Sequence, residues 1–149
     1  MLFRSTRLGL AARIRACFEP GEMLPCAGQG ALGIEVRVES QALRQRLETL
    51  THRPTWFAVQ AERAVSRALG GSCSMPLAAY AHWAGELLKL DVALGHALTP
   101  LAPLLRARAQ AAVTDDTGAR ALGERAAQAL RDAGGAEYLA AALSPAAVP

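Results

Sequence analysis

The sequence has little lysine and few aromatic residues, and both shortages narrow what the protein can do. Lys89 is the only lysine, so the net charge of +3 rests on arginine, and aromatic residues make up 5% of the chain. Basic and acidic residues are interspersed rather than grouped in blocks. Nucleic-acid binding is therefore not expected, because it uses clustered cations and rings that stack on bases. Arginine favours bidentate recognition of carboxylates, although genome composition would also explain its excess.

Long apolar runs are absent as well. Arg13, Arg15 and Glu19 interrupt the first apolar stretch, and Lys89 and Asp91 interrupt the middle one. No membrane span and no membrane partner are expected, since a span needs about 20 apolar residues. The start "MLFRSTRLGL" is too short in its apolar part to be a secretory signal.

Cysteine and histidine are scarce and widely spaced. The three cysteines are Cys17, Cys26 and Cys73, and the three histidines are His52, His82 and His96. An odd number of distant cysteines argues against a disulfide framework and favours a reducing cytoplasm. No histidine pairs with a cysteine at metal-ligand spacing, so no metal site is expected.

Hydrophobic periodicity divides the 149 residues into two parts. In residues 1–50, "RLGLAARIRACF" predicts an amphipathic helix, the alternation over 31–38 predicts a strand, and a short helix follows with Ser40 as its N-cap. One complete helix and one strand cannot form a core. We therefore expect residues 1–50 to be the end of a larger domain whose beginning lies before residue 1.

Residues 54–149 predict a complete small α+β domain after a boundary at "THRP". Thr55 would cap a helix over 56–69, and a second helix would run from about 116 to 133, before "AEYLAAAL". Between them lie three alternating stretches, 77–83, 88–94 and 104–109. Their short links favour a three-stranded antiparallel sheet with helices on one face.

Three local features have residue types suited to chemistry, and each also has an ordinary structural explanation. Cys73, in "GGSCS", is either a presented thiol or an inert small hydrophobe. Gln29 and Gly30, in "PCAGQGALG", form either a ligand-facing segment or a tight turn. Arg7, at the start of the first predicted helix, is either a carboxylate ligand or a solvated surface residue.

Several motifs together resemble a known family. The segments "RLGLAARI", "MLPCAGQGALGIEVR" and "AERAVSRALGGSCSMPLAAYA", with the closing helix, are similar in order and spacing to porphobilinogen deaminase, also called hydroxymethylbilane synthase. The resemblance runs over nearly the whole chain. It is specific, because the Gly-Gln-Gly, Ala-Glu-Arg-Ala and Gly-x-Cys-x-x-Pro motifs have to occur together and in this order.

The resemblance implies a transferase of porphyrin and haem biosynthesis. The family joins four porphobilinogen molecules into hydroxymethylbilane and releases ammonia at each step, usually as a monomer. Its dipyrromethane cofactor is attached by a thioether to a cysteine of the third domain, which Cys73 matches. Arg7 matches an arginine that binds pyrrole carboxylates, and Gln29 and Gly30 match residues that line the cleft for the growing polypyrrole chain.

The resemblance also implies what residues 1–149 do not carry. Residues 1–50 would be the C-terminal remnant of the cleft-forming α/β domains, which are similar to periplasmic binding proteins. The first domain and most of the second would precede residue 1 and be partners of this chain. The family's catalytic aspartate belongs to that part, so no catalytic residue is assigned here and little synthase activity is expected of the chain alone. Gly70, Ser72 and Val36 depart from the family's usual Glu, Gly and Cys at these positions, but none of these changes removes the attachment thiol.

Two other hypotheses are compatible with the residues. The first is a non-catalytic remnant that folds around 54–143 and serves as an interaction or ligand-holding module. An upstream reading frame that encodes the missing domains would favour the enzyme, and its absence would favour the remnant. The second is an unrelated small basic domain, which would require several motifs to coincide in order.

Overall fold

The structure, a computed structural model, describes residues 2–72 and 75–144. The helices are α1 (Leu2–Arg7), α2 (Gln41–Glu48), α3 (Arg53–Ala68), α4 (Asp116–Leu130) and α5 (Ala136–Ala142). The strands are β1 (Leu77–Ala84), β2 (Leu87–Leu94) and β3 (Leu105–Ala112). The α+β class predicted for the second part of the chain is therefore confirmed.

The three strands form an antiparallel sheet in the order β1-β2-β3. Ala81, Leu90 and Ala109 lie side by side across it, which places the alternating apolar residues of all three strands on one face. Gly85 and Glu86 form the two-residue link between β1 and β2. The short links thus give the antiparallel pairing that the sequence predicts.

Helices α3 and α4 cover the apolar face of the sheet and pack against each other. Their buried stripes contain Val65 on α3 and Leu122 and Leu130 on α4, all fully buried. Gly123 lies at the contact between the two helices, where a Cβ atom would overlap the Ala61 carbonyl oxygen and lie 2.6 Å from the Ala64 Cβ. Glycine at this position lets the two helix backbones approach closely.

The amphipathic helix predicted from "RLGLAARIRACF" is not present. Helix α1 ends at Arg7, Gly9 has a φ of +68°, and a 3-10 turn covers Ala11–Arg13. The side chain of Phe18 is 65% exposed, so the predicted apolar stripe has no surface on which to pack. Helices in proteins gain most of their stability from packing of their apolar face, so helical periodicity in the sequence is not sufficient to form this helix.

The strand predicted over 31–38 is also wrong. Residues 31–37 have no regular secondary structure, and Leu32, Ile34 and Val38 are 90%, 63% and 69% exposed. A strand forms when its backbone pairs with a neighbour, and in the described part of the chain this segment pairs with no strand of the sheet. The similarity of this part to a periplasmic binding protein stays a prediction.

Smaller differences concern helix ends. Helix α3 begins at Arg53, and Pro54 lies in its first turn. Proline is tolerated there because a backbone N–H in the first turn has no acceptor within the helix. Thr55 is therefore inside the helix rather than its cap, and its Oγ1 lies 2.8 Å from Nδ1 of His52, the observed N-cap. Helix α4 ends at Leu130, and Gly134, with a φ of +99°, separates it from α5.

Candidate functional site

Cys73 lies outside the described residues, but the chain on both sides of it is held by hydrogen bonding and by packing in the core. Helix α3 ends at Ala68, and the Gly71 N–H donates a hydrogen bond of 2.7 Å to the Ser66 carbonyl. A Cβ atom at Gly71 would overlap the Ser66 side chain, so the close return of the chain requires glycine. On the other side, Met75 is buried and leads into β1. The core therefore holds both ends of the short segment that contains Cys73.

Gln29 and Gly30 lie in a pair of tight turns. The Gln29 N–H donates to the Cys26 carbonyl over 3.1 Å, and the Ala31 N–H donates to the Gly28 carbonyl over 3.2 Å. The turn explanation that the sequence left open is therefore correct for the backbone. Both residues are exposed, and no atom lies within 4 Å of a Cβ built at Gly30. The turns thus present Gln29 and Gly30 on an open surface.

The Gln29 side chain is held by its own turn. Its Oε1 accepts a hydrogen bond of 2.9 Å from the Cys26 thiol. Because the carbonyl oxygen of the amide is used in this way, the remaining polar group of the side chain is the amide nitrogen. An amide N–H₂ donates hydrogen bonds, as a ligand carboxylate requires.

A buried carboxylate connects this segment to the α+β domain. Glu62, on α3, is 6% exposed, and its Oε1 accepts a hydrogen bond of 2.7 Å from the Ala81 N–H of β1. Its Oε2 accepts a second bond, also of 2.7 Å, from the Gly28 N–H. Burial raises the pKa of Glu62 above its ordinary value, and the bonds from Ala81 and Gly28 oppose that rise.

Glu62 is not among the candidate residues that the motifs indicate, although the sequence contains a signal for it. Ala61, Ala64 and Val65 form the buried face of α3, and Glu62 lies next to them on the helix surface. A carboxylate beside an apolar stripe has to find hydrogen-bond donors if the helix is packed on both sides. Periodicity cannot name those donors, because Gly28 and Ala81 are distant from Glu62 in sequence.

Arg7 is the last residue of α1, and its side chain is exposed. A guanidinium carries a fork of N–H donors that matches the two oxygens of a carboxylate. The structure therefore places Arg7 on a surface, as either explanation of this residue requires. Its role in binding a carboxylate stays a prediction.

The second face of the sheet carries a polar cavity that the sequence did not predict. It has a volume of about 280 Å³ and lies between residues 20–24 and the sheet, with Tyr80, His82, Asp91, Arg106 and Arg108 in its lining. Arg108 Nε is 2.7 Å from Asp91 Oδ1, and the His82 ring stacks on Tyr80. These side chains come together because β1, β2 and β3 align them across the sheet.

The described ranges 2–72 and 75–144 contain no group of three or more His, Cys, Asp or Glu side chains that could hold a metal ion. Within the same ranges, the helices are too short or too polar to cross a bilayer.

The fold and site define a small α+β domain in which helix α3 binds a Gly-Gln-Gly turn and precedes Cys73 in the sequence. Two family models match this chain: "Porphobilinogen deaminase, C-terminal domain" matches residues 56–132, and "Porphobilinogen deaminase, dipyromethane cofactor binding domain" matches residues 5–45. The chain belongs to the porphobilinogen deaminase family.

Individual relatives agree with this assignment. A porphobilinogen deaminase of Albidiferax ferrireducens is 60% identical over 127 residues, which cover 85% of this chain and 40% of the relative. That of Ralstonia nicotianae is 50% identical over 137 residues, covering 90% of this chain and 40% of the relative. That of Paraburkholderia phytofirmans is 48% identical over 145 residues, covering 95% and 42%. The chain thus spans about two fifths of the length of these curated relatives.

Proposed function

We propose that the chain is the C-terminal part of a hydroxymethylbilane synthase, in which it carries the cofactor-attachment domain. The observation that supports this most strongly is the match of residues 56–132 to the C-terminal domain of the family. Cys73 lies within that match. The whole enzyme would convert porphobilinogen to hydroxymethylbilane with release of ammonia, in the cytoplasm.

Cys73 is proposed to hold the dipyrromethane cofactor through a thioether. A thiolate is soft and polarizable, so it is a good nucleophile for an electrophilic carbon. When bound, the dipyrromethane would supply the pyrrole end on which further porphobilinogen units condense. The neighbouring helix and strand would hold the attachment loop, since both are packed in the core.

The described residues fit such a cofactor by the kind of donors they offer. Pyrrole rings of this class carry carboxylates, and buried or half-buried carboxylates need N–H donors or cations. Arg7 would supply a guanidinium, Gln29 an amide N–H₂ and Gly30 a backbone N–H. All three residues are exposed, so they are accessible to a ligand and to the domains that would complete the cleft.

The attachment is tested by intact-mass analysis. The chain is co-expressed with the part of the Albidiferax ferrireducens relative that precedes the matched region, or is incubated with preformed hydroxymethylbilane. We expect a mass increase that maps to Cys73, of two pyrrole units in the co-expressed complex and of four pyrrole units with loss of water after incubation with hydroxymethylbilane, and no increase in Cys73→Ser. Cys17→Ser is the matched control, because Cys17 is an exposed free thiol. An adduct that survives Cys73→Ser would disprove the assignment.

A non-catalytic ligand-holding module is the second candidate function. It is favoured by the core, because its fully buried hydrophobic residues, among those the structure describes, lie between Ala61 and Ala142, and Ala27 is the one residue of 1–50 packed against them. Turnover measurements separate the two functions. The synthase assignment predicts turnover of porphobilinogen by the co-expressed complex and little by the chain alone, whereas the module predicts turnover by neither.

A further inference from the structure

The edge of β1 that faces away from β2 donates hydrogen bonds to acceptors that are not part of a strand. The Ala79 N–H donates to the Pro25 carbonyl over 3.1 Å, and the Ala81 N–H donates to Glu62. An uncovered edge strand presents unpaired N–H groups to other chains. Residues 25–28 therefore run along β1 as an edge cover, and Ala27 packs against the core beside them.

The Glu62 side chain connects this edge cover to α3 and β1, the two elements on either side of Cys73 in the sequence. It belongs to α3, which precedes Cys73, and it accepts the N–H of Ala81 on β1, which follows Cys73. Its second oxygen accepts the N–H of Gly28, the residue before Gln29. One carboxylate thus connects the two sides of the attachment loop to the Gly-Gln-Gly turn.

We infer that Glu62 is a positioning residue that holds the turn of Gln29 and Gly30 against α3 and β1, the two elements on either side of Cys73 in the sequence. The extension to catalysis rests on the proposed function, because it requires Cys73 to carry the growing chain and Gln29 to face it. Glu62 itself contacts backbone N–H groups rather than the reacting atoms. It acts through the turn at Gly28 and not on the ligand.

The geometry excludes glutamine as an equivalent residue. Both oxygens of the Glu62 carboxylate accept hydrogen bonds, whereas an amide has one accepting oxygen and one donating nitrogen. In Glu62→Gln the nitrogen would face either Gly28 N–H or Ala81 N–H, and two donors cannot bond to each other. The Gly28 bond should be lost first, because Gly28 lies in a turn and Ala81 is held in a sheet.

Hydrogen exchange at single amides tests the positioning in the purified chain. In Glu62→Gln we expect the Gly28 amide to exchange roughly 10- to 100-fold faster, as the loss of a charge-assisted bond predicts. Amides of β2 and β3 should keep their protection. The matched control is Glu124→Gln, which changes an exposed glutamate on α4. Unchanged exchange at Gly28 would overturn the inference.

Glu62→Asp is used if Glu62→Gln does not fold. Aspartate keeps the charge but is one methylene shorter, so it cannot reach both N–H groups at 2.7 Å. We expect faster exchange at Gly28 or at Ala81, but not at both. If Gly28 and Ala81 both stay protected in Glu62→Asp, the bridge is not needed to hold the turn and the inference fails.

The catalytic consequence is measured in the co-expressed complex. Glu62→Gln should still form the adduct on Cys73, while kcat falls about 10- to 100-fold, the effect of a misplacement near 1 Å, and KM changes less. Equal kcat in Glu62→Gln and wild type would contradict the catalytic part. Failure of the proposed function has a different signature, since wild-type Cys73 would then carry no adduct whatever happens at Gly28.

Discussion

At the scale of residues, Glu62 shows how burial and hydrogen bonding oppose each other. Its two bonds from Gly28 and Ala81 favour the carboxylate, while removal from water favours the neutral acid. Burial is the larger effect, so the pKa of Glu62 is raised. The carboxylate therefore holds the turn at some expense to the stability of the folded chain.

The raised pKa of Glu62 predicts a pH dependence of stability. The folded chain binds a proton at Glu62 more tightly than the unfolded chain, whose glutamate pKa is about 4.3. The stabilising contribution is therefore complete below the unfolded pKa and is lost as pH rises through the folded one. Urea unfolding from about pH 4 to about pH 8 should show wild type gaining on Glu62→Gln as pH falls.

Glu124→Gln is the control for this pH series, since Glu124 is exposed. Its difference from wild type should stay nearly constant with pH. A wild-type advantage over Glu62→Gln that grows with rising pH would show that hydrogen bonding, and not burial, dominates at Glu62.

At the scale of elements, the contact between α3 and α4 depends on the absence of a side chain. Gly123 brings α4 onto the backbone of α3 at Ala61, and Ala64 lies beside it. Leu122 and Ala126, on the same helix, are fully buried. A glycine inside a helix normally lowers its stability, so close packing compensates for the intrinsic cost.

Gly123→Ala is expected to destabilise the chain even though alanine favours helix. The added Cβ would overlap the Ala61 carbonyl and force the helices apart, at a cost of about 1 to 3 kcal/mol. Gly118→Ala, on the same helix, is the control. There the Cβ lies 3.4 Å from its nearest neighbour, Asp115 Oδ1, so stability should stay equal or rise by up to about 1 kcal/mol. Thermal and urea unfolding of both variants would decide the point, and equal losses would contradict it.

At the scale of the whole molecule, the hydrophobic core lies entirely within the second part of the chain. Leu88, Leu90 and Leu94 of β2 are at most 1% exposed, whereas Leu32 and Ile34 are mostly exposed. Residues 25–28 are the exception in the first part, because the β1 edge and Glu62 hold them. The first part is thus attached at this segment and exposes apolar side chains elsewhere.

Leucine-to-alanine substitutions should reveal this asymmetry. Leu90→Ala removes a buried side chain from the centre of the sheet and should lower the free energy of unfolding by about 2 to 5 kcal/mol. Leu32→Ala removes a side chain that is 90% exposed and should change it by less than about 0.5 kcal/mol. Urea unfolding of the purified chain measures both, and a large loss in Leu32→Ala would place residue 32 in a core.

Hydrophobic periodicity and turn residues are sufficient to predict the elements of the α+β domain. The alternation over 77–83 and 88–94 and the short link between them predict β1 and β2 to within one residue at each end, because their side chains face a core on one side of a local hairpin. The helix from about 116 to 133 is predicted as well, and Asp115 caps it through a bond of 2.7 Å from the Gly118 N–H. The family and the candidate residues Arg7, Gln29, Gly30 and Cys73 came from motifs in the same way.

The sequence by itself therefore determined the elements whose hydrophobic pattern finds its packing partners close by in the chain. Its motifs determined the family. Tertiary structure decided the rest, because a pattern states which residues need a partner but not whether one is present. Among the residues that the structure describes, no strand lies beside the alternating segment 31–38, and its apolar side chains Leu32, Ile34 and Val38 are exposed. The Glu62 carboxylate accepts hydrogen bonds from two N–H groups that are distant from it in sequence, and it is buried between the Gly-Gln-Gly turn and β1.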